Sequence, residues 1–153
     1  MALRATAREF TRREVVPHLQ EWEDAGRIPR ELHVRAAELG LLGIGFPEDV
    51  GGSGGDLADS VAMQESMFAA GASSGLMAGL FTSGIALPHM AALGDPDLVE
   101  RFVRPTLAGE LIGSLGVTEP DGGSDAATCK TRAVPDGDAW VINSSKMFTT
   151  GAH

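Results

Sequence analysis

The chain has 153 residues, enough for one ordinary domain with a packed core. Its formal charge of −9 opposes contact with phosphate backbones, so nucleic acid is not an expected partner. Cys129 is the only cysteine, which excludes an internal disulfide and a cysteine-based metal site and fits a reducing, cytoplasmic setting.

The N-terminal stretch carries Arg4, Arg8, Arg12 and Arg13, but Glu9 and Glu14 break the acid-free pattern of a transit peptide. A surface helix is expected instead. Leu3, Ala7 and Phe10 share one helical face, and Val15, Leu19 and Trp22 repeat the spacing. Pro17 falls between them and is expected to kink or break the helix. Pro29 suits the first turn of the next helix, whose stripe of Leu32, Ala36 and Leu39 ends at Gly40. FPEDVGGSGGD, from Phe46 to Asp56, is turn chemistry throughout. A phosphate loop would end in Gly-Lys-Ser/Thr, and no lysine precedes Lys130, so a loop between helices is expected.

Asp56 or Asp59 is placed to cap the following helix. Leu57, Val61 and Phe68 lie near one of its faces, and Met63, Met67 and Ala70 form an adjoining one, which predicts packing on both sides. Ser73 or Ser74 can cap a further helix with Leu76, Leu80 and Leu87 inward. Residues 67–94 contain no Asp, Glu, Lys or Arg, a run long enough to cross a bilayer. Its Gly, Ala and Ser content, Pro88, His89 and the lack of a basic flank favour a buried helix pair, with no integral membrane segment expected. Asp95-Pro96 opens another helix, with Leu98, Val99 and Phe102 as its apolar side and Pro105 as its limit.

The texture changes near Glu110. Leu111–Thr118 is an apolar, strand-like run. Thr131–Val134 and Ala139–Ile142 flank an Asp136-Gly137 step, a hairpin signal, and Lys146–Thr150 looks like another strand. The fold class expected is therefore α+β: an all-α domain over residues 1–109, then the first strands of a β domain over residues 110–153. Four short strands at most cannot close a barrel, so their edges would stand open. His18, His33, His89 and His153 show no metal-ligand spacing, and no metal site is expected.

LGVTEPDGGSD, from Leu115 to Asp125, is the segment richest in chemistry. A strand would deliver Thr118, Pro120 would end it, and Gly122 and Gly123 would permit a tight backbone path. Such a turn can aim several N–H groups into an anion nest, to which Ser124 adds a hydroxyl. The glycine spacing is not that of a dinucleotide-binding Rossmann turn.

VTEPDGGSD closely resembles the flavin-binding signature of the acyl-CoA dehydrogenase family. Other matches fall in the family's order: Ile28-Pro29, Gly40-Leu41-Leu42-Gly43, Phe46-Pro47-Glu48 with Gly51-Gly52, Leu93-Gly94, Gly109-Glu110 and Lys130-Thr131-Arg132-Ala133. Asn143 to Thr150, NSSKMFTT, resembles the family's second flavin segment. The resemblance implies a truncated acyl-CoA dehydrogenase fold, with a β-barrel-like middle domain begun here and the C-terminal helical domain absent from these residues. It implies FAD as cofactor, with Leu115, Val117, Thr118, Gly123, Ser124, Phe148, Thr149 and Thr150 lining it. Thr118 would bond the isoalloxazine, and Ser124 would lie near the pyrophosphate and border the acyl-CoA substrate. Phe148 replaces the tryptophan common in the family and keeps an aromatic face. Asp121 adds negative charge near the diphosphate, where the family often has a small neutral residue.

The implied reaction removes an α-proton and a β-hydride from an acyl thioester to give a 2-enoyl-CoA. The base is expected in the C-terminal domain, so these residues alone should be inactive, and Glu119 is expected to be structural. An electron-transfer flavoprotein is the expected acceptor and a tetramer the expected assembly. Two alternatives keep the fold: a flavin monooxygenase or nitroalkane oxidase, told apart by oxygen reactivity, and a non-catalytic subunit completed by a partner chain.

Overall fold

The computed structural model describes residues 2–152. His153, expected from the sequence to be an ordinary histidine, lies outside them. The helices are α1 (Ala2–Phe10), α2 (Leu19–Ala25), α3 (Arg30–Glu38), α4 (Leu57–Ala70), α5 (Ser74–Leu80), α6 (Ser83–Leu93), α7 (Pro96–Leu98) and α8 (Arg104–Leu107). They are followed by strands β1 (Arg132–Asp136) and β2 (Ala139–Asn143).

Several helices begin where a short polar side chain can take up free N–H groups. The Asp56 carboxylate accepts from the N–H of Ala58 at 2.8 Å and of Asp59 at 3.1 Å, and Asp59 returns a bond to the Asp56 N–H. This reciprocal cap is worth about 1 kcal/mol. Ser73 Oγ caps α5 by accepting from Leu76 N and donates to Glu23 of α2. Asp95 caps α7, with Pro96 in its first turn. Pro29 stands one position earlier than predicted, capping α3 in extended conformation.

Two prolines act through widened turns. Thr11–Val15 and Val99–Val103 are π-helical, and each ends two residues before a proline, Pro17 or Pro105. Proline has no N–H and its ring crowds the carbonyl four residues back, so shifting the ladder to i→i−5 bonds relieves both problems. Pro17 still breaks the chain into a turn, as predicted. Pro105 does not limit its helix, which runs on through α8. Val99 is buried as predicted, but with the widened turn Val103 joins it inside and Phe102 is exposed, contrary to the predicted stripe.

One core cluster joins α1, α3, α4 and α5 through Ala7, Phe10, Val15, Leu32, Ala36, Met63, Met67, Leu76 and Leu80. A second, built from Phe46, Leu87, Val99, Val103 and Leu107, lies under α6 and α8. The α4 helix packs on one face only. Met63, Ser66 and Met67 are buried, whereas Leu57, Val61 and Phe68 are exposed, so the prediction of packing on both sides fails. Ser74–Leu93 is long and apolar enough by length and composition to cross a membrane. It is instead broken at Phe81-Thr82 into α5 and α6, which send Leu76, Met77, Leu80 and Leu87 into the core.

β1 and β2 pair antiparallel, from Arg132 opposite Asn143 to Asp136 opposite Ala139. The turn is Gly137-Asp138, one residue later than the Asp136-Gly137 step suggested. Gly137 takes φ +60° at its first central position, as a two-residue hairpin turn with glycine there requires. Both strands are exposed along their whole length. Leu111–Thr118 and Lys146–Thr150 are not strands. They run side by side but share a single backbone bond, and a side chain occupies the place a ladder would take.

Gly52 tests the loop packing, because a Cβ there would lie 2.1 Å from the carbonyl oxygen of Phe46. Gly52→Ala should destabilise by about 1–3 kcal/mol, as overpacking does. Gly84, in α6 with open space around it, should gain up to about 1 kcal/mol on substitution by alanine. Paired thermal melts of the two variants check both signs.

His33 supplies a pH test. Its side chain is 4% exposed, and burial, the largest influence, holds its pKa below the ordinary 6.5 against the backbone of Pro29 and Gly79. The unfolded chain therefore takes up this proton first. The contribution is intact above pH 6.5 and is lost as pH falls below it. The melting temperature should drop from neutral pH toward pH ~5.5, and His33→Gln should flatten that slope. An unchanged slope in the variant would contradict this assignment.

Candidate functional site

Residues 112–118 and 146–150 are two irregular segments that run side by side in opposite directions, Thr118 beside Met147 at one end and Ile112 beside Gly151 at the other. Met147 N–H donates to the Thr118 carbonyl at 2.9 Å, and Lys146 Nζ donates to the Val117 carbonyl at 2.9 Å. The Cys129 thiol leans on the same Val117 oxygen at 3.8 Å. A Cβ on Gly116 would lie 3.3 Å from both Lys146 Cγ and Thr149 Oγ1, so the glycine allows the segments to approach closely. The start of α6 ties both segments to the helices. Ser83 Oγ accepts from Gly113 N–H at 3.0 Å, and Thr82 Oγ1 donates to the Thr150 carbonyl at 3.4 Å.

Glu119 lies where these segments meet the strands, with its side chain 6% exposed. Its carboxylate accepts from Lys146 Nζ at 2.9 Å, from the N–H of Lys130 at 2.6 Å and Thr131 at 3.0 Å, and from the Thr131 hydroxyl. The Thr131 hydroxyl, then Lys146, then the Lys130 amide lower its pKa from 4.5 to about 2. That carboxylate is committed, which agrees with a structural role and makes it a poor general base.

The following turn is closed by two backbone bonds, Glu119 N–H to Gly122 O at 2.8 Å and Gly122 N–H to Glu119 O at 3.1 Å. Neither Gly122 nor Gly123 takes a positive φ, so backbone handedness does not demand these glycines as expected. Space explains one of them: a Cβ on Gly122 would press on Thr128 Oγ1 at 3.2 Å. Lys130 Nζ stands 2.7 Å from Asp121 Oδ2, and Asp121 in turn raises the Lys130 pKa. The negative charge that Asp121 brings to this turn is thus countered locally.

The site residues named from the sequence divide between these elements. Leu115, Val117 and Thr118 lie on the first segment, Gly123 and Ser124 on the turn, and Phe148, Thr149 and Thr150 on the second segment. The structure brings the first and third groups into direct contact and joins the turn to them through Glu119. Phe148 has φ +56° and its ring is 85% exposed. A bulky residue in left-handed conformation is strained, and such strain concentrates at binding sites. The hydroxyls of Thr118, Ser124, Thr149 and Thr150 make no hydrogen bond among the described residues, and neither do the N–H groups of Gly123 and Ser124. Neighbouring Thr128 and Thr131 hydroxyls are both engaged. The two segments and the turn thus hold uncommitted donors and one exposed aromatic ring.

Thr82, Ser83, Lys130 and Lys146 were missed from the sequence as parts of the site. Their partners lie 9 to 68 residues away, so no local pattern marks them. Among the described residues no cluster of His, Cys, Asp and Glu could hold a metal ion.

Comparison with known proteins agrees with the resemblance. Residues 1–110 match the model of the acyl-CoA dehydrogenase N-terminal domain. A mitochondrial long-chain specific acyl-CoA dehydrogenase from Sus scrofa is 38% identical over 96% of the chain, which spans 34% of that enzyme. The crystal structure of a probable acyl-CoA dehydrogenase from Mycobacterium abscessus superposes with TM-score 0.94 at 61% identity, covering 97% of this chain and 39% of that one. An acyl-CoA dehydrogenase from Geobacillus kaustophilus superposes with TM-score 0.84 at 34% identity, over 95% and 38% of the two chains. The chain thus spans between a third and two fifths of the relatives' length, and over that span it belongs to the acyl-CoA dehydrogenase family.

Proposed function

We propose that these residues form the N-terminal part of an FAD-dependent acyl-CoA dehydrogenase, oxidising acyl-CoA thioesters to 2-enoyl-CoA. The observation that carries this reading is that the two adjoining segments present Thr118, Thr149 and Thr150 with uncommitted hydroxyls and Phe148 strained and exposed. Family membership supplies the reaction class.

In this reading FAD supplies the hydride acceptor. Thr118 orients the isoalloxazine edge by hydrogen bonding, and Thr149 and Thr150 lie beside the ring. Phe148 would offer an aromatic surface to one face of the ring and help to exclude water. Donors held along that edge would favour the negative charge that reduction brings to such a ring. Ser124 and the N–H groups of the Gly123 turn meet the pyrophosphate, and Ser124 borders the acyl-CoA. Leu115 and Val117 give the apolar floor. Glu119 is too acidic and too fully bonded to take the α-proton, so that role falls to a carboxylate outside these residues. The reading extends to transfer of electrons to an electron-transfer flavoprotein, to a homotetramer and to a cytoplasmic setting.

A visible absorption titration of the purified protein with FAD tests the reading. One equivalent of flavin should bind with a perturbed spectrum. Phe148→Ala and Thr118→Ala should each weaken binding by about tenfold, the scale of one stacked ring or one hydrogen bond. Absence of any flavin binding, or binding indifferent to both variants, would overturn it.

A further inference from the structure

Among the described residues, the Glu119–Lys146 pair joins three stretches of chain that no other side chain connects so fully. Lys146 Nζ donates to Val117 O and to Glu119 Oε1, both at 2.9 Å. Glu119 Oε1 also takes the Thr131 N–H and hydroxyl, and Oε2 takes the Lys130 N–H. Lys146 spends two of its three protons on these bonds, and the carboxylate is close to saturated. The carboxylate is left with no contact for a ligand, and Lys146 keeps one proton on a side chain that is mostly covered. Neither belongs to the two apolar clusters that hold the helices together.

We infer that Glu119 and Lys146 are positioning residues for the cofactor, setting the spacing between the segment that carries Thr118 and the segment that carries Phe148, Thr149 and Thr150. The inference rests on the flavin reading above for its functional meaning. It deepens that reading by assigning the geometry of the site to one buried ion pair. Remove the pair, and what ties residues 117–118 to 146–147 directly is the Met147–Thr118 backbone bond. One exposed backbone bond is a weak restraint, worth about 1 kcal/mol net. The two hydroxyl-bearing stretches would then drift apart while the helical part stays folded.

The charge state supports the same role. Glu119 titrates at about 2 in place of 4.5, so its ionised form is the one the fold holds. Its contribution is present above pH 4.5 and is lost as pH falls toward 2, so the pair stays intact across the neutral range.

Three variants of the protein, Glu119→Gln, Lys146→Met and the double substitution, test this by FAD titration. The helical melt at 222 nm is read alongside. Each single change should raise the FAD dissociation constant about tenfold or more, the scale of a charge-assisted hydrogen bond. The double variant should be about as poor as the worse single one, because both act through one pair. Lys146→Arg should recover most of the affinity. The helical melting temperature should hold to within about 3 °C throughout. Dissociation constants within about twofold of the parent, below 0.5 kcal/mol, would overturn the inference. So would a loss of affinity matched by a fall in the helical melt, which means general unfolding.

If the parent protein binds no FAD, the flavin reading fails separately, and hydrogen exchange of the Met147 amide decides the clamp. That amide bonds Thr118 and touches neither member of the pair through its own hydrogen bond. Exchange about tenfold faster in Glu119→Gln and Lys146→Met supports a clamp between the segments, and unchanged exchange removes it.

Discussion

A carboxylate taken out of water must find donors or lose its charge, and Glu119 meets that constraint by gathering every donor near it. The ammonium of Lys146, the amides of Lys130 and Thr131 and the Thr131 hydroxyl all converge on it. The donors come from two stretches of chain, residues 130–131 and Lys146, and Glu119 itself stands on a third. Satisfying one charge therefore fixes where the first segment ends, where β1 begins and where the second segment starts. The turn at Pro120 and the uncommitted N–H groups of Gly123 and Ser124 hang from the same point.

The helical part contributes a rigid base. Its two clusters hold the start of α6 in place, and Thr82 and Ser83 at that start reach the second and first segments respectively. Two hydroxyls at one helix end thus relay the packing of the helices to segments that have no core of their own. The π-helical turns before Pro17 and Pro105 serve the same end. They let the chain absorb a proline and still bury Val15 and Val103.

What the site presents to its surroundings is strained and unspent. Phe148 holds a left-handed backbone with its ring almost fully exposed, and four nearby hydroxyls lack partners among the described residues. Free energy stored in that way is recovered when a ligand arrives, which is why strain and open donors together carry more weight than either alone. The hairpin and the first segment also expose Leu115, Val117, Val134, Trp140 and Ile142.

Local chemistry alone determined the caps at Asp56, Ser73 and Asp95, the break at Pro17, the buried stripe of Leu32 and Ala36 and the hairpin around Gly137. Each depends on residues a few positions apart, within the reach of a turn. The ordered motifs also carried the family, and the signature marked the two segments of the site. The tertiary structure decided the rest. Leu111–Thr118 and Lys146–Thr150 have the apolar character of strands, but Lys146 reaching Glu119 and Val117 fills the space of a ladder. Leu57, Val61 and Phe68 match a second packed face, yet nothing among the described residues covers them. Phe102 gave way to Val103 because a widened turn rotated the helix. The partners of Thr82, Ser83 and Lys146 lie far along the chain, and only folding brings a buried charge and its donors together.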